Sequence, residues 1–97
     1  MQVSVRFFMI LREVVGKKEE RLQFSKSQKV TVNVVLKQLS EKYGKAFIDY
    51  VYDSNSGEVK GFLQFLVNGR SISTSGGLGF ELSDGDVLAI LPPVSGG

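Results

Sequence analysis

The two residue types with the most versatile side-chain chemistry are missing from this chain, which has no cysteine and no histidine among its 97 residues. Without a thiol or an imidazole, the side chains cannot form a Cys-His or Ser-His nucleophilic pair, a zinc finger or an imidazole metal site. Tryptophan is also absent, and there are only 2 prolines. Any reaction must therefore use carboxylates, hydroxyls, amines or a chain terminus.

The residues that are present predict one folded domain. Hydrophobic residues make up 42% of the chain and charged residues 23%, a balance typical of globular proteins rather than disordered ones. A chain of this length buries about two-thirds of its unfolded surface, so it can hold a core without disulfides. No apolar run is long enough to span a membrane, and the alternating start Met1 to Arg6 is unlike a secretory signal. We therefore expect a cytoplasmic protein with no membrane partner.

Charge is distributed unevenly along the chain. The net charge is only +2, but residues 1–45 carry +6 and residues 46–97 carry −4. The basic residues flank turns and a strand, whereas nucleic-acid binding would gather them on one face with interleaved aromatics. The pattern favours a solvated basic face, and we expect no nucleic-acid partner.

Period-2 alternation at the start of the chain predicts strands with one buried face. Residues Val3 to Phe7 alternate apolar with polar side chains, and Glu20 to Phe24 does the same with Leu22 and Phe24 inward. Phe8 breaks the alternation because it falls on the polar side.

Helical spacing follows in the middle of the chain. Thr31 is a suitable N-cap for a helix that ends at Gly44, and Ala46 to Tyr52 adds a further short helical piece. An earlier segment, Leu11 to Gly16, is predicted to form a short helical turn closed by glycine.

The second half of the chain is predicted to return to strands. Asn68-Gly69 suits a type I′ turn, which makes the flanking segments a hairpin with Leu66 pointing away from the core. The apolar run Val87 to Leu91, bounded by a turn and by Pro92, is typical of a central buried strand. The order of elements predicts an α+β fold in which a mixed sheet of four to five strands packs on one main helix.

Several polar or glycine-rich segments are weak candidates for chemistry. Gly76-Gly77-Leu78-Gly79 lacks the third glycine of a dinucleotide fingerprint and any following Gly-Lys-Ser/Thr. Asp84 and Asp86 could offer carboxylates to a cation but fall short of a full ligand shell, so turn chemistry is favoured and no metal site is predicted. The hydroxyls near the same loop have no base to activate them: Ser71, Ser73, Thr74 and Ser75.

The last six residues remain as the candidate reactive segment. Consecutive prolines favour an extended stalk, and two glycines form the slimmest backbone that amino acids can make. A terminal carboxylate is ionised at neutral pH, and its attack on the α-phosphate of ATP would give an acyl adenylate. We therefore expect a domain over residues 1–91 and a tail that inserts into a partner over residues 92–97, with Gly97 as the reacting residue. The tail comprises Pro92, Pro93, Val94, Ser95, Gly96 and Gly97.

These features resemble a known family. The chain is similar to the small, sulfur-carrier subunit of molybdopterin synthase, the MoaD family within the MoaD/ThiS ubiquitin-like superfamily, and the similarity covers nearly the whole chain. It is carried by the segments 5–16, 31–39, 66–70, 77–78 and 82–97, which include Leu66-Val67-Asn68-Gly69-Arg70 and the ending Pro92-Pro93-Val94-Ser95-Gly96-Gly97.

The resemblance implies a fold, a role and partners. The fold is the ubiquitin-like β-grasp, with the first and last strands parallel at the sheet centre. A ubiquitin-activating-type adenylyltransferase would use ATP to adenylate Gly97, sulfur would be loaded as a thiocarboxylate, and the large subunit of molybdopterin synthase would receive the tail. The small subunit itself binds no cofactor and carries no catalytic side chain, so by this resemblance the chain is not an enzyme.

An apolar patch on the sheet is expected to serve those partners. If the first strand lies beside the last, and the last beside the hairpin, then Phe8, Leu91 and Leu66 adjoin on the face away from the helix. The broken alternation at Phe8 motivates this expectation.

Other roles stay open at the level of sequence. The activated Gly97 could instead be joined to lysines of other proteins, as in ubiquitin-like modifiers. A thiamine-pathway sulfur carrier is disfavoured by Pro92-Pro93-Val94, and a non-covalent binding module would tolerate loss of Gly97.

Overall fold

The fold is a five-stranded mixed sheet covered on one face by helices. The computed structural model describes residues 1–72 and 76–92. The sheet order is β2-β1-β5-β3-β4, with β1 and β5 parallel at the centre and the other pairs antiparallel. The elements are β1 (Gln2–Phe7), α1 (Ile10–Val15), β2 (Glu19–Gln23), α2 (Val32–Tyr43), α3 (Lys45–Val51), β3 (Gln64–Val67), β4 (Arg70–Ser71), a 3-10 turn (Gly77–Gly79) and β5 (Val87–Leu91).

This arrangement confirms the predicted fold class. The sheet is mixed, it has five strands, and its central pair joins the first strand to the last. Within the described ranges, no helix has the length and apolarity needed to cross a membrane.

The core lies between the sheet and α2. Its residues recur with the strand period in the sheet and with the helical period in α2. Alternate residues of β1 and β5 are fully buried because successive side chains of a strand point to opposite faces. On α2, the residues that face the sheet recur every three to four positions. The fully buried side chains from these three elements are Val3, Val5, Phe7, Leu88, Ile90, Val32, Val35, Leu36 and Leu39.

Local signals in the sequence place the element boundaries. Thr31 caps α2, since its hydroxyl oxygen accepts a hydrogen bond from the Val34 backbone N–H at 3.3 Å. The helix ends at Gly44, which has a φ of +75°. Asn68 and Gly69 have φ values of +51° and +84°, as a type I′ turn requires. The predicted second helical piece is present as α3.

The hairpin strand begins later than its apolar sequence suggests. The run from Phe62 onward reads as strand, but β3 starts at Gln64 because the Leu63 N–H donates to the Lys60 carbonyl in a turn. Phe62 therefore lies before the strand, with 47% of its surface exposed.

Both aspartates near β5 are used in turn contacts. Asp84 Oδ1 accepts from the Gln2 backbone N–H at 2.7 Å. Asp86 accepts from the Ser83 backbone N–H at 2.8 Å and from the Asn68 side-chain amide at 2.9 Å. These bonds fasten the start of β5 to β1 and to the hairpin.

One carboxylate is buried inside the fold, and its position was not predicted. Glu20 has the same parity in β2 as Leu22, so it faces the helices, and its exposure is only 7%. The Tyr43 hydroxyl donates to it at 2.7 Å, Lys42 forms a close ion pair with it, and Lys17 lies 3.4 Å away. The contacts connect edge strand β2 to the end of α2.

These partners determine how Glu20 titrates. Burial on its own raises the pKa of Glu20, but hydrogen bonds from Lys42 and Tyr43 and the positive charges of Lys17 and Lys42 outweigh it, so the pKa lies below the ordinary 4.5. The pKa of Tyr43 is raised, first by burial and then by its hydrogen bond to Glu20. A carboxylate with a lowered folded-state pKa stabilises the fold above its unfolded pKa, and this contribution is lost as pH falls through the folded value.

Replacing this carboxylate tests its contribution to stability. At neutral pH we expect Glu20→Gln to lower the free energy of unfolding by about 1–3 kcal/mol, because the charged hydrogen bonds are lost and two lysines lose their partner. The difference between the parent and Glu20→Gln should shrink as the pH falls below about 4.5. Urea unfolding at several pH values measures this.

The neighbouring residue provides the control. Glu19 is exposed and pairs with the exposed Arg21 at 3.7 Å, so Glu19→Gln should change the free energy of unfolding by less than about 0.5 kcal/mol. Equal effects of the two substitutions would contradict a special role for Glu20.

Candidate functional site

The site is built around the point where the chain leaves the sheet. β5 lies between β1 and β3, and its last residue, Leu91, pairs with Gln64 at the start of β3. Pro92 follows and is buried. The predicted reacting residue Gly97 and its neighbours Pro93, Val94, Ser95 and Gly96 lie outside the described residues. The structure therefore describes the root of the tail, the end of the sheet from which residues 93–97 continue.

The predicted patch residues share the sheet face opposite the helices. In the register, Leu66 pairs with Ala89, and Leu91 lies two residues further along β5 on the same face. Phe7 pairs with Ile90, so Phe8 follows in line with Leu91. Phe8, Leu66 and Leu91 are each half-buried. Their use as a partner-binding patch stays a prediction.

A cation lies against one side of this patch. The Arg6 guanidinium carbon is 5.7 Å from the centroid of the Phe8 ring, and Arg6 is exposed. Arg12 is also exposed, and its Nε donates to the Phe7 carbonyl at 3.4 Å. The apolar surface is therefore bordered by positive charge on the side of β1.

Exposed apolar side chains concentrate at the same end of the sheet. Met9 is 60% exposed and Ile10 42%, and both directly follow β1; Phe62, 47% exposed, directly precedes the segment that pairs with Leu91. Ile48 on α3 has 40% of its surface exposed. The sequence alone assigned no role to Met9 or Ile10, which precede the predicted turn from Leu11 to Gly16, and it placed Phe62 in a strand. The available signal was the apolar run from Phe7 to Leu11, which is longer than a one-sided strand needs.

An aromatic cluster fixes the position of Phe62. The rings of Phe62 and Tyr50 meet edge to face with centroids 6.4 Å apart. Lys60 Nζ lies 5.8 Å and 5.9 Å from the two centroids and donates to the Asp49 carbonyl at 2.9 Å. Burial raises the pKa of the Tyr50 hydroxyl. These contacts connect α3 to the segment before β3.

The side chains at the tail root are suited to recognition. Apolar and aromatic side chains lie there with the cations Arg6 and Arg12, next to the polar Gln64 and to Glu19, which pairs in register with Arg6. The carboxylates Asp84 and Asp86 lie at the other end of β5. No group of three or more metal-ligating side chains occurs within residues 1–72 and 76–92. A partner could contact this surface while the tail extends into it.

Known proteins share both the sequence and the fold. Small archaeal modifier protein 3 of Haloferax volcanii is 36% identical over 97 residues, with full coverage of both chains. The crystal structure of SAMP1 from the same organism matches with a TM-score of 0.84 and 30% identity, again with full coverage of both chains. The Amycolatopsis orientalis BexX/CysO complex contains a chain that matches with a TM-score of 0.76 and 29% identity, covering 98% of this chain and 99% of that one.

A family model gives the same assignment along almost the whole length. The ThiS family model matches residues 5–97, which include every described strand from β2 onward and the second half of β1. The match confirms the superfamily indicated by the sequence, and the sheet order confirms the ubiquitin-like β-grasp. This chain belongs to the ThiS family and has the ubiquitin-like fold of its sulfur carriers.

Proposed function

We propose that this protein is a ubiquitin-like modifier whose Gly97 carboxylate is activated and joined to lysines of other proteins, and that the same activated carboxylate accepts sulfur. The observation that carries the proposal is the full-length match to small archaeal modifier protein 3. In this proposal the tail Pro92 to Gly97 carries the reacting carboxylate. It continues from the central strand of the sheet, where a partner has access to its root.

The chemistry begins with an external adenylating enzyme. A carboxylate oxygen of Gly97 attacks the α-phosphorus of ATP, the bond to pyrophosphate breaks, and pyrophosphate leaves with the electron pair. The resulting acyl adenylate has a reactive carbonyl carbon. No cysteine or histidine of the chain takes part, because the chain has none.

Two nucleophiles lead to the two products. A lysine amine attacks the carbonyl carbon, AMP leaves, the nitrogen loses a proton and an amide forms. A hydrosulfide equivalent supplied by a sulfur donor attacks the same carbon, AMP leaves and a thiocarboxylate remains. Slim glycines at the tip allow either nucleophile to approach.

A narrower sulfur-carrier role is the second candidate. The ending Pro92-Pro93-Val94-Ser95-Gly96-Gly97 favours the role in molybdenum cofactor biosynthesis expected from the sequence, in which the large subunit of molybdopterin synthase takes up the thiocarboxylate tail. The two roles share the activating enzyme and differ in the acceptor. The modifier role is preferred because it rests on the full-length relative.

Conjugation to lysines is tested by mass spectrometry of cellular proteins. Arg70 is the last Lys or Arg of the chain, so trypsin would leave the long segment 71–97 on each modified lysine. Ser95→Arg places a cleavage site directly before Gly96-Gly97, so each modified lysine should then carry a short Gly-Gly remnant.

Deletion of Gly97 in the Ser95→Arg background is the control. It should abolish these remnants without changing the thermal midpoint, because the core residues that the structure describes run no further than Ile90. Gly-Gly remnants that persist after the deletion would rule out the modifier role. So would the absence of both the Gly-Gly remnants in the Ser95→Arg background and the segment 71–97 on lysines with the parent protein.

Sulfur loading gives a separate measurement. Incubation of the protein with ATP, the adenylating enzyme and a sulfur donor should raise its intact mass by about 16 mass units, the exchange of one oxygen for sulfur at an activated carboxyl. Omission of ATP is the control and should leave the mass unchanged. Efficient conjugation with no mass gain would leave the modifier role standing and remove the sulfur-carrier role.

The sheet-face patch is tested by adding a charge to it. Leu66→Asp should raise the KM of the adenylating enzyme for this protein by about tenfold or more, because a charge would be buried in the contact. Asn33→Asp adds the same charge to the exposed side of α2, on the opposite layer, and should leave KM unchanged. Equal KM values for the two variants would contradict the patch. Circular dichroism checks that both fold.

A further inference from the structure

Met9 has a backbone conformation that disfavours its own side chain. Its φ and ψ are +55° and −126°, and the Leu11 N–H donates to the Phe8 carbonyl at 3.2 Å. These values place Met9 at the first central position of a type II′ turn, where glycine dominates because a Cβ crowds the backbone. Such a conformation is strained for a residue with a side chain.

Comparison with Asn68 shows that the positive φ of Met9 is unusual. Met9 and Asn68 are the non-glycine residues with positive φ within the described ranges. Asparagine tolerates this region, and the Asn68 side chain also accepts from the Val87 N–H and donates to Asp86, each at 2.9 Å. Methionine can form no such bonds. Local structure therefore explains Asn68 and does not explain Met9.

The Met9 side chain also serves neither as a helix cap nor as a core residue. It precedes α1 at a position that favours Ser, Thr, Asp, Asn or Gly, and its side chain caps nothing. Its side chain is 60% exposed, more than that of any other large hydrophobic residue in the described part of the chain. A strained turn thus holds an apolar side chain in solvent.

Met9 lies at the end of the sheet from which the tail continues. Met9 follows β1, whose end lies beside the end of β5, where the tail begins. Residues 93–97 are five residues long and span at most about 17 Å when extended. An enzyme whose active site receives Gly97 must therefore rest against the end of the sheet that carries Met9.

We propose that Met9 is a specificity-determining contact residue, whose side chain enters an apolar recess of the adenylating partner next to the channel that admits the tail. This inference rests on the proposed activation of Gly97. The turn strain is retained because glycine, which would relieve it, has no side chain to place in the recess. The exposed Arg6 and Arg12 border the contact, so the partner's recess should have an acidic rim.

The test separates stability from recognition. The full chain is assayed with the adenylating enzyme of its source cells by ATP–pyrophosphate exchange, and its thermal midpoint is measured separately. Met9→Gly should keep or raise the thermal midpoint because the turn strain is removed. The same variant should raise KM for this chain by about fivefold or more, with kcat within about twofold.

Two further variants complete the design. Met9→Leu keeps an apolar side chain of similar volume and should keep KM within about twofold of the parent. Asn68→Gly relieves positive φ at the opposite end of the sheet but removes two hydrogen bonds, so it should lower the thermal midpoint and leave KM unchanged.

The outcomes distinguish this inference from the function on which it rests. If the parent supports exchange and Met9→Gly has the parent's KM, the contact is overturned while activation of Gly97 stands. If the parent supports no exchange, both are overturned. A parent that is dimeric by sedimentation, with a monomeric Met9→Gly variant of unchanged KM, would assign Met9 to self-association and also overturn the contact.

Discussion

The parallel pairing of β1 with β5 is the constraint on which the rest of this structure depends. Four residue pairs, from Ser4 with Val87 to Phe7 with Ile90, join the two ends of the chain. A parallel pair cannot be closed by a tight turn, so the intervening segment has to cross over the sheet, and α2 covers the face that the crossover buries. The same pairing places the start of the tail in the middle of the sheet rather than at an edge.

Because β5 lies in the centre of the sheet, the tail root is held by hydrogen bonds on both sides. Chain ends usually fray because few contacts hold them, but β5 is hydrogen-bonded to a strand on each side. Opening the root would require the most protected strand of the sheet to separate. The apolar side chains beside the root therefore keep a constant position relative to Leu91, the last residue of β5.

The sequence predicted the contacts between neighbouring residues, but it did not predict the contacts between residues in different helices and strands. The cap at Thr31 and the turn at Asn68-Gly69 depend on neighbouring residues alone, so their types predict them. The parity of Glu20 indicated its face, but its partner Tyr43 lies in another element, and alternation carries no information about pairing across layers. The strain at Met9 arises from the sharp turn between β1 and α1, which no propensity of methionine predicts. The central strand pairing came from family resemblance rather than from periodicity.

The absence of cysteine and histidine also bears on the proposed activation of the Gly97 carboxylate. An acyl adenylate is attacked by any nearby nucleophile, and a thiol or imidazole on the carrier would divert the acyl group to the carrier itself. Lysine amines are the remaining side-chain nucleophiles that could attack the acyl adenylate. Lys60, which precedes β3, donates to the Asp49 carbonyl and lies over two aromatic rings, which hold its nitrogen against its own domain. Lys17 and Lys42 are held by Glu20, and Lys45 by Asp49 at 2.9 Å. Under the proposed function, the missing thiols and imidazoles and the partners of these four lysines limit attack by the domain on its own acyl adenylate.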